Sequence, residues 1–198
     1  WLLNRVSSAK ALKKMLKVHP IFENYKIILA AGNGKSTEEE AKNTSAVGKS
    51  FNRVKEAIAN NDKTITISVG QLTTGVTIPE WTAVLMLSNL SSPALYMQAA
   101  FRAQNPWKFT DKKGNRQQKE NAYIFDFAPE RTLIIFDEFA NNLSSEASTT
   151  TEKRSENIKK LLNFFPVIGE DFEGKMVELD ATQVLTIPKA LKAHEVVR

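Results

Sequence analysis

The sequence predicts an α/β fold in which helices flank a parallel sheet. Three short apolar runs, at 25–31, 64–69 and 81–87, have the composition of buried strands, rich in Ile, Leu and Val or in β-branched residues. Segments before the first run and between the first two have apolar residues at helical spacing, and a further helix is expected after the third run. Strands that alternate with helices of about ten residues are typical of an α/β domain with a parallel sheet.

The first part of the chain predicts two strand–helix units. Residues 1–6 predict a short strand, and Ser7 or Ser8 is the expected cap of the helix that follows. After the second strand, residues 32–48 are polar and predict a loop. Ser50 is then the expected cap of the second helix.

The next part continues the alternation. After the strand at 81–87, Ser92 is the expected cap of a helix and Pro93 its first residue. Polar residues at 107–121 surround a predicted turn, and 121–127 predict a further strand. These elements complete the expected α/β domain.

The α/β pattern ends at Phe127, so we assign 1–127 to one domain and 128–198 to a mainly helical extension. Pro129 can begin one helix of the extension, and apolar residues around Ile158 predict another. A Ser- and Thr-rich stretch predicts a flexible linker near 141–155.

The composition is that of a globular protein and excludes several functional classes. None of the 198 residues is Cys, which excludes disulfides, thiolate zinc sites and cysteine nucleophiles. No apolar run approaches the roughly 18 residues that span a bilayer, and no signal peptide is evident. We therefore expect a cytoplasmic protein without a membrane partner. The net charge of +5 permits nucleic acid as a partner. Since the chain begins without Met inside a predicted strand, we expect a fragment of a larger protein.

Two short motifs resemble the nucleotide-binding elements of ATPases. Gly32–Thr37 (GNGKST) follows an apolar strand, as a phosphate-binding P-loop does, but Leu29 stands where that motif has Gly. Asp137 and Glu138 end the run LIIFDE, which resembles a Walker B strand, although its apolar residues also have helical spacing after Pro129. Together the two motifs define an alternative, a self-contained P-loop ATPase.

Two other segments carry the strongest functional pattern. Residues 69–79 (VGQLTTGVTIP) and 98–106 (QAAFRAQNP) both lie beyond the carboxyl end of an apolar strand, where ligands bind in open α/β sheets. Gln98, Arg102 and Asn105 are spaced to share one face of a helix. A neighbouring Gln and Arg present several donors to a phosphate, whereas the alternative is a solvated polar face.

These segments resemble motifs V and VI of superfamily 2 helicases. The resemblance is closest to the motor subunits of type III and type I restriction enzymes, through LTTGVTIPEW at 72–81, YMQAAFRAQNPW at 96–107 and YIFDFAPERTL at 123–133. It covers residues 1–135 and implies the second of two RecA-like domains. It also implies that neither of the two ATPase-like motifs, at Gly32–Thr37 and at Asp137 and Glu138, forms a nucleotide site. In such a motor both Walker motifs belong to the first domain.

The resemblance implies one half of an ATP-driven double-stranded DNA translocase of a restriction-modification system. ATP and Mg²⁺ would be bound mainly by the first RecA-like domain of the same parent chain, so the isolated chain would be inactive and would hold no metal. A nuclease domain and a methyltransferase or specificity subunit would be further partners. The site residues that it implies are catalytic Arg102 with Gln98, and nucleotide-binding Thr74, Gly75, Thr77 and Asn105.

Three positions depart from the general motifs. In the motif VI segment, Phe101 replaces a Gly and Asn105 replaces the second Arg, and Thr77 replaces an Asp in the motif V segment. These departures also suit a degenerate, non-catalytic RecA-like module that binds nucleic acid or protein.

A basic stretch near the middle of the chain is a candidate DNA contact. Lys112, Lys113 and Arg116 lie close together in the polar segment before the last predicted strand. Lys and Arg side chains bind phosphate oxygens and so position a protein on DNA. The alternative is the solvated tip of a hairpin.

Overall fold

A computed structural model describes residues 1–31, 44–72, 75–142, 150–170 and 173–187. The described chain divides into two compact units. The first comprises Trp1–Leu90 and Met97–Phe127, and the second comprises Ser91–Tyr96 with the described part of Ala128–Arg198. The architecture is α/β, as the sequence predicts.

The first unit contains strands and helices in alternation, followed by a hairpin and a last strand. Its helices are α1 (Val6–Lys17) and α2 (Thr44–Asn60), and it shares α3 (Pro93–Ala100) with the second unit. Its strands are β1 (Lys26–Ala30), β2 (Thr64–Ser68), β3 (Ala83–Met86), β4 (Lys108–Thr110), β5 (Arg116–Gln118) and β6 (Tyr123–Asp126).

The parallel sheet is assembled around the first residues of the chain. Strands β1 and β2 pair in parallel, and so do β3 and β6. Leu2 bridges the two pairs, because it pairs in parallel with Ser68 of β2 and with Met86 of β3. The order across the sheet is therefore β1, β2, residues 1–3, β3, β6.

Helices α1 and α2 cover opposite faces of this sheet. Ile27 packs with Leu16 of α1, whereas its neighbour Ile28 packs with Val54 and Ala57 of α2. Successive side chains of a strand point to opposite faces, so both must be apolar when both faces are covered. This explains why the predicted strand run at 25–31 is nearly all apolar.

Two helix starts differ from the sequence predictions. Helix α1 begins at Val6 after Arg5, without a side-chain cap, so Ser7 and Ser8 lie inside its first turn. Helix α2 begins at Thr44, which places Ser50 inside the helix. The expected cap at Ser92 is confirmed, since its hydroxyl accepts the Leu95 N–H at 3.4 Å.

The second unit has two helices followed by a small hairpin. Its elements are α4 (Pro129–Asn142), α5 (Thr151–Leu162), the antiparallel strands β7 (Ile168–Glu170) and β8 (Met176–Glu178), and a helix at 181–187, α6. Thr150 caps α5 by accepting the Lys153 N–H at 3.4 Å. Since α5 begins at Thr151, the last residues of the expected linker are helical; 143–149 lie outside the described residues. No helix in the described ranges combines the length and the apolarity needed to cross a membrane.

Candidate functional site

The loop after β2 is fixed by hydrogen bonds on its buried side. The Ser50 hydroxyl of α2 donates to the Gln71 side-chain oxygen at 2.7 Å, and Gln71 is only 1% exposed. The Ser68 hydroxyl donates to the Gln71 carbonyl. These contacts hold the start of the segment that resembles motif V against the helix that follows β1.

The backbone of this loop turns sharply. Gly70 and Gly75 have φ of 69°, and Leu72 has φ of 59°, in the left-handed region that residues with a Cβ rarely adopt. Leu72 is only 3% exposed and packs with Val54 and Val76, and this packing holds it in that conformation. The turn leaves Gly75 exposed on the side away from the core.

Arg102 joins the two segments that the sequence singled out. It lies in a 3₁₀ turn (Phe101–Gln104) that continues from α3, and its side chain is half-buried. The guanidinium donates to the Val76 carbonyl in the loop after β2. Val76 lies between Gly75 and Thr77, which are both exposed. The structure therefore brings Arg102 to the same loop as two of the expected nucleotide-binding residues.

The predicted helix face through Gln98, Arg102 and Asn105 is wrong at its last member. The α-helical part of α3 ends at Ala100, and Asn105 has an extended backbone with ψ of 130°. The reason is Pro106, since the residue before a proline is disfavoured in the helical conformation. The Asn105 amide instead donates to the Arg102 carbonyl at 3.2 Å, while Gln98 is exposed on α3. The remaining candidate in this loop, Thr74, lies outside the described residues.

A lysine that the sequence analysis did not single out holds the end of the same loop. Lys119 follows β5, and its ammonium donates to the carbonyls of Pro79, Trp81 and Ala103 at 2.9, 2.8 and 2.7 Å. Burial lowers the pKa of Lys119, and the nearby charge of Glu80 opposes that shift. One cation thus ties the loop after β2 to the end of the 3₁₀ turn.

Glu80 is the acidic partner in this region. Its carboxylate accepts from the Lys55 ammonium of α2 at 2.6 Å. Burial raises the pKa of Glu80, but the hydrogen bond from Lys55, a backbone hydrogen bond and the charges of Lys55 and Lys119 outweigh it, so the pKa lies below its usual value. Glu80 is therefore ionised at neutral pH and neutralises cations beside the loop.

Replacing Lys119 by Met is expected to lower the free energy of unfolding by about 2–3 kcal/mol, because three partly buried carbonyls lose a charged donor. Urea unfolding of the chain, followed by tryptophan fluorescence, measures this change. Lys113→Met, in the same hairpin but exposed, is the matched control and should change stability by less than about 0.5 kcal/mol. Equal stability of the two variants would show that Lys119 does not hold the loop.

The basic candidates lie on the hairpin formed by β4 and β5. Asp111 closes its turn, as predicted for this polar stretch, by accepting the N–H groups of Lys113 and Asn115 at 2.9 and 2.8 Å. Lys112, Lys113 and Arg116 are all exposed. The Lys112 ammonium pairs with Asp62 at 2.7 Å, and its hydrogen bond and charge lower the pKa of Asp62.

A cleft of about 780 Å³ lies within the first unit, beside Arg102. All three tryptophans of the chain, Trp1, Trp81 and Trp107, line it. Trp107 stacks on Phe109 at a ring-centroid distance of 4.3 Å. The walls of the cleft are therefore rich in aromatic surface.

The ATPase-like motifs do not form a second site in the described chain. Asp137 and Glu138 lie on α4, so the Walker B interpretation of this run as a strand is wrong. The Asp137 carboxylate forms an ion pair with Arg154 of α5. Gly32–Thr37 lie outside the described residues. Within the ranges that the structure describes, no three His, Asp or Glu side chains are grouped as a metal site.

Comparison with known proteins finds a relative that is named as a restriction enzyme and methyltransferase. The chain is 30% identical, over 169 residues and 82% of its length, to a Mycoplasma pneumoniae protein provisionally named as the C-terminus of a type II restriction enzyme and methyltransferase. It spans only 22% of the length of that relative. No protein-family model matches the chain, and no solved structure matches it significantly. The relative is named as type II rather than type III or type I.

Proposed function

We propose that this chain is the second motor domain of an ATP-dependent double-stranded DNA translocase within a restriction-modification protein. The observation that carries the proposal is the contact between the Arg102 guanidinium and the Val76 carbonyl, which joins the segments that resemble motifs V and VI. The order of the elements, with each segment beyond a strand of a parallel sheet, agrees with a RecA-like core.

In this proposal, ATP and Mg²⁺ are bound mainly by the first RecA-like domain of the longer protein. The chemistry of the residues present fits that role, since the Arg102 guanidinium carries only N–H donors and the Gln98 amide carries two, and such donors suit phosphate oxygens. Magnesium would neutralise charge on the transferring phosphate. Arg102, supported by Gln98, would add positive charge at the same phosphate from the opposite side of the cleft between the domains.

The hydrogen bond between Arg102 and Val76 would also couple the nucleotide state to the loop surface that is proposed to contact DNA. A movement of the guanidinium toward a phosphate would weaken or shift its bond to the Val76 carbonyl. Because Gly75 and Thr77 flank Val76 and are exposed, the surface of the loop would change with the nucleotide state. Thr74 and Asn105 are the other proposed nucleotide contacts, and the Asn105 amide already holds the Arg102 carbonyl.

The proposed partners follow from the same function. They are double-stranded DNA, the first RecA-like domain of the same protein, a nuclease domain and a methyltransferase or specificity subunit. From the Mycoplasma relative we take only the restriction-modification setting. The ATP-driven motor comes from the resemblance to type III and type I enzymes.

A second candidate function is a non-catalytic RecA-like module in the same kind of protein. The observation that favours it is the half-buried position of Arg102, whose guanidinium bonds to a backbone carbonyl as a purely structural arginine would. Asn105 and Thr77, which replace an Arg and an Asp of the general motifs, also suit it. Under this candidate, loss of Arg102 would lower stability without an effect on nucleotide turnover.

Charge reversal of Lys112, Lys113 and Arg116 to Glu tests the proposed DNA contact. In the longer protein, each lost phosphate contact should reduce the slope of log affinity against log salt by about 0.9. We therefore expect weaker binding to a random-sequence duplex and a slope smaller by up to about 3. Titrations at several salt concentrations measure both quantities.

The matched control reverses three other exposed lysines of the first unit, Lys10, Lys14 and Lys17 of α1. It alters the net charge by the same amount at a surface that is not proposed to contact DNA. If both triple variants reduce the slope equally, the effect comes from net charge, and the hairpin is ordinary surface.

A further inference from the structure

We propose that Lys119 is the positioning residue for Arg102, the arginine that reaches the transferring phosphate in the proposed motor. This inference rests on the proposed function and assigns to Lys119 a part in turnover in addition to its part in stability. Lys119 acts through the backbone that carries Arg102 and through the loop that the Arg102 guanidinium contacts. It needs no contact of its own with the nucleotide.

The Lys119 ammonium has one backbone acceptor for each of its donors. A lysine ammonium carries three N–H groups, and these donate to the carbonyls of Pro79, Trp81 and Ala103 at 2.9, 2.8 and 2.7 Å. Hydrogen bonds from a charged donor are stronger than those between neutral groups. The three bonds therefore hold the end of the loop after β2 and the 3₁₀ turn at a fixed separation.

One of these acceptors lies directly beside Arg102. Ala103 follows it in the 3₁₀ turn and is fully buried, and the Arg102 carbonyl itself accepts from the Asn105 amide at 3.2 Å. An arginine side chain has several rotatable bonds, so its guanidinium can be held at one place only if its backbone is fixed. The bond from Lys119 to the Ala103 carbonyl supplies part of that constraint.

The acceptor of the Arg102 guanidinium is held by the same ammonium. Arg102 donates to the Val76 carbonyl, at the start of this stretch of the loop. Lys119 donates to the Trp81 carbonyl at the end of the stretch. Between them Ile78 is fully buried, and its carbonyl accepts the Trp81 N–H at 3.2 Å. Loss of the Lys119 ammonium would therefore loosen both the backbone of Arg102 and the carbonyl that its guanidinium contacts.

Lys119 is itself held by the hairpin of β4 and β5. Its N–H donates to the Trp107 carbonyl at 2.8 Å, which continues the antiparallel ladder past the pair formed by Lys108 and Gln118. The Lys119 side chain is half-buried, whereas Gln118 and Glu120 on either side are exposed. The side chain thus extends from a fixed backbone toward the loop and the turn, as a positioning role requires.

Steady-state ATP hydrolysis by the longer protein with saturating duplex DNA tests the positioning role. Lys119→Met removes the charge and the three donors but keeps a side chain of similar length. Because a misplacement of about 1 Å can cost on the order of 100-fold in rate, we expect kcat to fall by about 10- to 100-fold. The KM for ATP should change much less, since the first domain binds most of the nucleotide.

Two further variants separate this role from a purely structural one. Lys119→Met combined with Arg102→Ala should turn over no more slowly than Arg102→Ala alone, because Lys119 acts through Arg102. Arg154→Met is the matched control, since it removes another half-buried cation, from the ion pair with Asp137 in the second unit. It should lower the melting temperature and leave kcat nearly unchanged.

A conservative variant keeps the test decisive if Lys119→Met does not fold. Lys119→Arg retains a cation, but its planar guanidinium does not match three carbonyls arranged around one nitrogen. We expect its kcat to lie between the values for Met and Lys at this position. A kcat equal to that of the natural protein would overturn the positioning role.

The outcomes also distinguish this inference from the proposed function. Normal turnover by Lys119→Met, or a further fall when Lys119→Met is added to Arg102→Ala, would overturn the positioning role. Either result would leave the proposed role of Arg102 intact. Normal turnover by Arg102→Ala would overturn the positioning role together with the proposed motor function.

Discussion

Replacing Arg102 by Ala in the longer protein is expected to lower DNA-stimulated ATP hydrolysis by about 10³-fold or more. An arginine that reaches the transferring phosphoryl group across a domain interface contributes that much to the rate. Arg102 is the arginine that the structure joins to the loop after β2, so it is the residue expected to carry this role. Steady-state ATP hydrolysis with saturating duplex DNA measures the effect.

Two further variants separate catalysis from stability. Arg154→Ala removes another half-buried arginine, which pairs with Asp137 in the second unit and has no proposed contact with nucleotide. It should lower stability with nearly normal turnover. Arg102→Lys keeps a cation and a donor for the Val76 carbonyl but loses the planar fork, so we expect turnover between that of Ala and that of Arg.

The same Arg102→Ala variant distinguishes the two candidate functions. A motor role predicts a large fall in kcat with nucleotide affinity changed much less, because the contact strengthens in the transition state. A purely structural role predicts a lower melting temperature and unchanged turnover per folded molecule. Near-normal turnover would remove Arg102 from the site and favour the non-catalytic module.

The sheet could be predicted from the sequence because its strands are covered on both faces. Burial on both sides favours runs that are mostly apolar or β-branched, and such runs at 25–31, 64–69 and 81–87 contain β1, β2 and β3. Helix starts were harder to predict, since a serine in the sequence position of a helix cap can instead form a hydrogen bond with a residue far away in sequence. Ser50 is the example, because its hydroxyl bonds to Gln71 from inside α2.

The meeting of the two candidate segments, 69–79 and 98–106, could also be expected from the sequence. Each follows a strand of one parallel sheet, and the contact of Arg102 with Val76 brings them together. The extended backbone of Asn105 was predictable from Pro106, although helical spacing alone had suggested otherwise. Thr74 and the residues from Gly32 to Thr37 lie outside the described residues, so those interpretations stay predictions.

No local sequence pattern predicts that Lys119 holds the loop after β2. Its three carbonyl partners are 16, 38 and 40 residues away in sequence. A charged residue in a polar hairpin predicts a solvated side chain, and only the packing of the hairpin against the loop reverses that expectation. Contacts of this kind depend on tertiary structure, so no short sequence motif predicts them.

The purified chain of residues 1–198 is expected to show no ATP hydrolysis above background, with or without duplex DNA. In the proposed motor, its residues complete a site whose Walker motifs belong to another domain, so one half alone has no means of positioning ATP and Mg²⁺. The longer protein, at the same molar concentration and with the same DNA, should hydrolyse ATP and should do so faster when DNA is present.

This side-by-side measurement of ATP hydrolysis tests the central claim most directly. We predict turnover by the longer protein and none by the 198-residue chain. Robust turnover by the chain alone would contradict the claim, because the chain would then hold a complete ATPase site. Absence of turnover by the folded, DNA-bound longer protein would also contradict the claim, since the chain would then be a non-catalytic module.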